Sequence, residues 1–135
     1  MHPKFHKKHD AQPEDQVEPA RRSQLARTDR AGGLLRVTVL CGRVSEREAD
    51  ILLGEIEPLL DGAVSLIVDL GHVGVLSSAG IGMLVRLHKH AQKRGGRLAV
   101  CALNSELDEL FKITRMDRLF LVAPDRDAAE RELLG

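Results

Sequence analysis

The residues of this chain best placed to carry chemistry are the paired hydroxyls in Val75-Leu76-Ser77-Ser78-Ala79-Gly80-Ile81-Gly82. The run follows an apolar segment, residues 64–70, and leads into an amphipathic one, so both serines fall at a helix entrance. Unpaired N–H groups and the helix dipole there favour an added negative charge. A serine in that position caps the helix or accepts a phosphate, and of two serines one can do each. Gly80 and Gly82 weaken the helix that follows, which suits an entrance that another surface approaches closely.

Other constellations carry less. Asp69, His72 and Ser78 invite a catalytic-triad reading, but no Gly-x-Ser-x-Gly elbow surrounds the serine. Gly80-x-Gly82 opens a dinucleotide fingerprint whose third glycine would fall at Val85, and no Gly-Lys-[Ser/Thr] occurs. No catalytic role and no cofactor is therefore expected. His2, His6 and His9 lack a rigid frame and partners at ligand spacing, so no metal site is expected. His88 and His90 lie two apart among basic residues of a helix and read as a solvated face.

Composition narrows the classes further. Among 135 residues, 20 Lys and Arg balance 20 Asp and Glu, so the charge excess typical of nucleic-acid binding is missing. With no Trp or Tyr and three Phe, stacking platforms are nearly excluded and the core must be aliphatic. Cys41 and Cys101 form no CxxC pair and read as reduced, structural thiols. No apolar run approaches the roughly 20 residues of a membrane span, and the N-terminus has no signal-type apolar region. The expectation is a cytoplasmic protein that binds neither nucleic acid nor membrane.

The elements that must position the serines follow from patterning. Residues 1–22, polar and with three prolines, read as a disordered tail, and residues 23–135 as one domain. Residues 24–28 and 34–40 suggest a hairpin around turn residues 29–33. Ser45 and Glu48 form a capping-box pattern ahead of a helix that Pro58 and Gly62 close. Residues 64–70 suit a central strand covered on both faces. A helix over 78–94 ends at Gly95-Gly96, and residues 97–103 form another buried strand. Asn104 or Ser105 caps a short helix that buries Leu107, Leu110, Phe111 and Ile113, before a strand at 119–122 and a terminal helix from 124. The order β-β-α-β-α-β-α-β-α, without internal repeat, predicts an α/β fold with a mixed sheet.

Three segments together resemble the STAS domain family, specifically the anti-sigma-factor antagonists of bacteria. They are residues 67–82, Gly95-Gly96-Arg97-Leu98-Ala99-Val100-Cys101 opening the next strand, and Leu110-Phe111-Lys112-Ile113-Thr114-Arg115-Met116-Asp117-Arg118-Leu119-Phe120. The resemblance spans about residues 24–134 and implies a STAS-like mixed sheet packed with helices. It further implies Ser78 as the phosphoacceptor, with Ser77, Ser78, Ala79, Gly80, Ile81 and Gly82 as the partner-binding segment. The implied partner is an anti-sigma factor that is itself a serine kinase of the GHKL type, with a PP2C-type phosphatase as the resetting enzyme. Two positions depart from the family pattern: Ser77 stands where the family has Asp, and Ala79 where it has Ser or Thr. These departures also suit a second expectation, a STAS adaptor that is not phosphorylated and serves in a transport or stress-signalling complex.

Overall fold

A computed structural model describes residues 17–135. Its six-stranded sheet runs β1 (Val17–Arg22), β2 (Ala26–Ala31), β3 (Leu34–Val39), β5 (Ser65–Asp69), β7 (Leu98–Cys101) and β8 (Leu121–Ala123) in spatial order. The β1–β2 and β2–β3 pairs are antiparallel and the later pairs parallel. A separate two-stranded ladder joins β4 (Arg43–Val44) to β6 (Val75–Leu76). The helices are α1 (Glu46–Ile56), α2 (Ser78–Lys93), α3 (Ser105–Ile113) and α4 (Arg126–Leu134). This is the mixed α/β architecture that the element order predicts, with three strands added.

The central strands β5 and β7 are buried on both faces because their residues alternate between two cores. Leu66, Val68, Leu98 and Val100 face the core closed by α1, α2 and α3, together with Leu52, Ile56, Leu84, Leu87 and Phe111. Ile67, Ala99 and Cys101 face a smaller core with Ala129 of α4. This period of two, apolar on both sides, accounts for the continuous hydrophobicity of β5 and β7.

Several local expectations shift. Val17–Arg22, assigned to the tail by sequence, form an edge strand paired with β2, while residues 1–16 of that stretch, with His2, His6 and His9, lie outside the described residues. The hairpin turn shrinks to Gly32-Gly33, with Gly32 at φ 59°, so Asp29 stays in the strand. There it pairs across the ladder with Arg36, whose Nε lies 2.5 Å from Asp29 Oδ1. The helix ahead of Pro58 ends at Ile56 and tightens into a 3-10 turn, Glu57–Leu60. Arg30 and Arg94 donate to carbonyls of this segment, Arg30 to Leu59 and Asp61 and Arg94 to Leu60, satisfying acceptors that a helix end leaves open. In α3, Leu107 and Phe111 are buried and Leu110 is half-buried, but Ile113 stands exposed at the helix end.

His88 is a clear correction to the solvated-face reading. Its position relative to Leu84, Leu87 and Ala91 puts it on the apolar stripe of α2, and it is buried with its ring edge against Phe120, centroids 5.5 Å apart. Among the described residues its Nδ1 has no hydrogen-bond partner. Burial, with Arg97 nearby, holds its pKa below the usual histidine value. His90, two residues on, is half-exposed with Nε2 3.6 Å from Glu57.

Candidate functional site

The site rests on two strand-to-helix junctions laid side by side. Gly42-Arg43-Val44-Ser45 leads into α1 and Gly74-Val75-Leu76-Ser77 into α2, with Arg43 opposite Val75 and Val44 opposite Leu76 in parallel register. Gly74 and Val75 both donate to the Gly42 carbonyl, at 2.8 and 3.1 Å, and Ser77 N–H donates to Val44 O at 2.9 Å. Val44 and Leu76 are buried, so their neighbours Arg43 and Val75 both stand exposed on the other side of the ladder. The two helices therefore start from one platform, next to each other.

Their first turns differ in charge. At α1, the Glu48 carboxylate accepts from Ser45 N–H at 3.1 Å and from Ser45 Oγ at 2.7 Å, closing the predicted capping box. Those bonds hold the Glu48 pKa down at about 2, and Glu46 adds a second acid to this turn. At α2 no acidic residue occupies the first turn. Ser77 is the cap, its Oγ accepting from Gly80 N–H at 3.4 Å. The positive end of the α2 dipole is therefore met by a neutral hydroxyl alone, a setting that tolerates an added anion.

Ser78 is the first residue of α2 and is exposed, and its hydroxyl makes no hydrogen bond among the described residues. The two serines thus divide the roles: Ser77 holds the helix end and Ser78 stands free. Ala79 and Ile81 are half-buried, and Gly82 is exposed with nothing within 4 Å of where a side chain would start. Gly80 behaves otherwise. It is buried, and a Cβ there would overlap Leu76 Cδ1 and lie 3.0 Å from Leu76 Cγ and 3.1 Å from Val44 O. The surface that approaches Gly80 is therefore the chain's own ladder, and only Gly82 keeps the entrance open.

The triad candidates are not assembled. Asp69 accepts from Gly71 N–H at 2.8 Å and lines a cleft of about 340 Å³ with Arg36, Ala102 and Arg126, beside α4 on the far face of the sheet from α2. His72 is exposed, and no hydrogen bond joins it to Asp69 or Ser78. Both cysteines are free thiols; burial raises the Cys41 pKa and pushes that of Cys101 up to about 12, so Cys101 is an inert core residue. Among the described residues no group of three or more His, Cys, Asp or Glu could hold a metal. No helix among them is long and apolar enough to cross a membrane.

The side-by-side placement of Arg43 and Val75 was not read from the sequence. Its only signal is the short echo between Gly42-Arg43-Val44-Ser45 and Gly74-Val75-Leu76-Ser77, too brief to register as a repeat.

Comparison with known proteins agrees with this architecture. Residues 21–129 match the family model of the STAS domain. A Bordetella bronchiseptica protein named as a candidate anti-sigma factor antagonist, BtrV, is 31% identical over 102 residues, covering 75% of this chain and 87% of its own length. The crystal structure of an anti-sigma factor antagonist from Mycobacterium paratuberculosis superposes with a TM-score of 0.72 at 21% identity, covering 90% of this chain and 97% of that one. The Bacillus cell fate determinant SpoIIAA, solved in its phosphorylated form, gives a TM-score of 0.62 at 12% identity, covering 78% and 97%.

Proposed function

This chain belongs to the STAS domain family, among the anti-sigma factor antagonists, and from that premise we propose that it is a partner switch controlled by phosphorylation of Ser78. Unphosphorylated, it binds an anti-sigma factor and so releases a sigma factor for transcription. The anti-sigma factor, a serine kinase of the GHKL type, transfers the γ-phosphoryl group of ATP to the Ser78 oxygen, releasing ADP and the hydroxyl proton, and the complex dissociates. A PP2C-type phosphatase restores the free hydroxyl by hydrolysing the phosphoserine with water, releasing inorganic phosphate. The chain works in the cytoplasm as ligand and substrate, with no catalysis of its own.

The observation that carries this reading is the exposed, unbonded Ser78 hydroxyl at a helix start without a carboxylate. Phosphorylation adds about −1.5 to −2 charges and three acceptor oxygens at that point. The α2 N-terminus accommodates such a group, so the fold survives modification. In a packed contact the same dianion is bulky and costly to desolvate. A hundredfold loss of affinity requires only about 2.8 kcal/mol.

The test is the affinity of the purified anti-sigma factor for Ser78→Ala, Ser78→Asp and Ser78→Glu chains. Ser78→Ala binds like wild type, and both acidic variants bind at least tenfold more weakly with unchanged circular dichroism. Equal affinities for all would remove the switch. The uncharged Ser77 and the methyl of Ala79, where the family has Asp and Ser or Thr, favour a second reading: an adaptor that is never modified. A stable complex with a partner lacking a kinase fold, and no phosphate on Ser78 in cells, would establish it.

A further inference from the structure

The exposed face of α2 is one-sided in charge. Between Leu70 and Ser105 the chain contains no Asp or Glu, although the whole sequence has 20 of them balanced by 20 cations. Within that stretch all the exposed positions of α2 but Gln92 form a row at helical spacing: Ser78, Gly82, Arg86, Lys89 and Lys93. The row begins at the free hydroxyl, passes the bare backbone of Gly82 and ends in cations. Arg86 is engaged by Glu57, with Nε 2.7 Å from Oε2, whereas Lys89 and Lys93 make no ion pair among the described residues.

Helix stability does not demand this pattern. The dipole favours cations in the last turn, which accounts for Lys93 but not for Lys89 or for the total lack of acids upstream. Exposed helices usually intersperse both signs, as α3 does with Lys112 Nζ 3.1 Å from Asp108. An unbalanced stripe on a chain of zero net charge is a directed field, suited to steering one oppositely charged partner. The small residues at its N-terminal end let a partner surface come close, and the zero net charge of the chain favours a protein over nucleic acid as that partner.

We propose that the Ser78–Lys93 stripe of α2 is the docking surface for an acidic face of the anti-sigma factor, with Lys89 and Lys93 steering the encounter toward Ser78. The proposal rests on the partner-switch reading and names the chemistry of that partner. A phosphate on Ser78 then places negative charge at the head of the row that draws the acidic partner in.

The experiment measures association and dissociation of the purified anti-sigma factor, without ATP, with wild type, Lys89→Glu/Lys93→Glu and Arg27→Glu at two salt concentrations. Arg27, exposed on β2, controls for a charge reversal placed away from the stripe. The double variant associates at least about tenfold more slowly with a flattened salt dependence, while Arg27→Glu stays near wild type. Equal rates for wild type and the double variant would overturn the proposal and leave the partner-switch reading intact. No complex with wild type would remove both. A duplex DNA probe is titrated in parallel: binding that the double variant abolishes would assign the stripe to nucleic acid and overturn the proposal.

Discussion

Gly80 and Gly82 lie on the same first turns of α2, yet alanine at the two positions should have opposite effects. In a helix interior, alanine is favoured over glycine by about 1 kcal/mol through backbone entropy. At Gly82 a new methyl group meets nothing within 4 Å, so most of that gain is realised, about 0.5–1 kcal/mol. At Gly80 the methyl overlaps Leu76 Cδ1 and presses on Val44 O at 3.1 Å. Leu76 is only 6% exposed and has little room to move. Val44 O cannot recede without stretching its 2.9 Å bond from Ser77, which fixes the start of α2. Overpacking of this kind costs about 1–3 kcal/mol, exceeding the propensity gain at its midpoint. The two variants should therefore differ by about 2 kcal/mol. Urea unfolding followed by circular dichroism reads this directly: at a slope of about 2 kcal/mol/M, the midpoints separate by about 1 M, Gly82→Ala above wild type and Gly80→Ala below. Midpoints that move in the same direction by the same amount would refute the packing of α2 against the β4–β6 ladder.

Ser77→Ala removes the cap of α2 and should lower stability by about 0.5–1 kcal/mol, while Ser78→Ala stays within about 0.5 kcal/mol of wild type; the same urea series compares them. His88 is held neutral in the fold, with a pKa below the 6.5 of the unfolded chain. Stability is therefore constant from this source above pH 6.5 and falls as pH drops from there toward the folded pKa. His88→Leu should flatten that segment of a stability–pH curve, and an unchanged slope would contradict the burial argument. Glu48 acts in a lower window: its contribution is present above the unfolded pKa of 4.5 and is lost as pH falls toward about 2. Glu48→Ala should lower stability at neutral pH and reduce the remaining loss in that acid range, measured by thermal melts in matched buffers.

The sequence made the fold legible where burial imposes a period. β5 and β7 are apolar on consecutive residues because both sheet faces are covered, and α1 declares its start through Ser45 and Glu48. Ser78 was visible because two hydroxyls meet a strand-to-helix junction. Less legible were features decided by contacts distant in the chain. β4 and β6 are two residues each and exist only through each other, and Val17–Arg22 becomes a strand only against β2. His88 looked solvated because its sequence neighbours are basic, whereas its face of the helix is set by Leu84 and Ala91 and by Phe120 across the core. Gly80 likewise resembled an opening until the ladder beneath it was in place.

The most direct measurement maps phosphate on the intact chain after incubation with its kinase and ATP, using wild type, Ser77→Ala and Ser78→Ala. A single phosphate on Ser78, retained in Ser77→Ala and abolished in Ser78→Ala, is the predicted result. Phosphate on Ser77 or elsewhere, or labelling that persists in Ser78→Ala, would contradict the account.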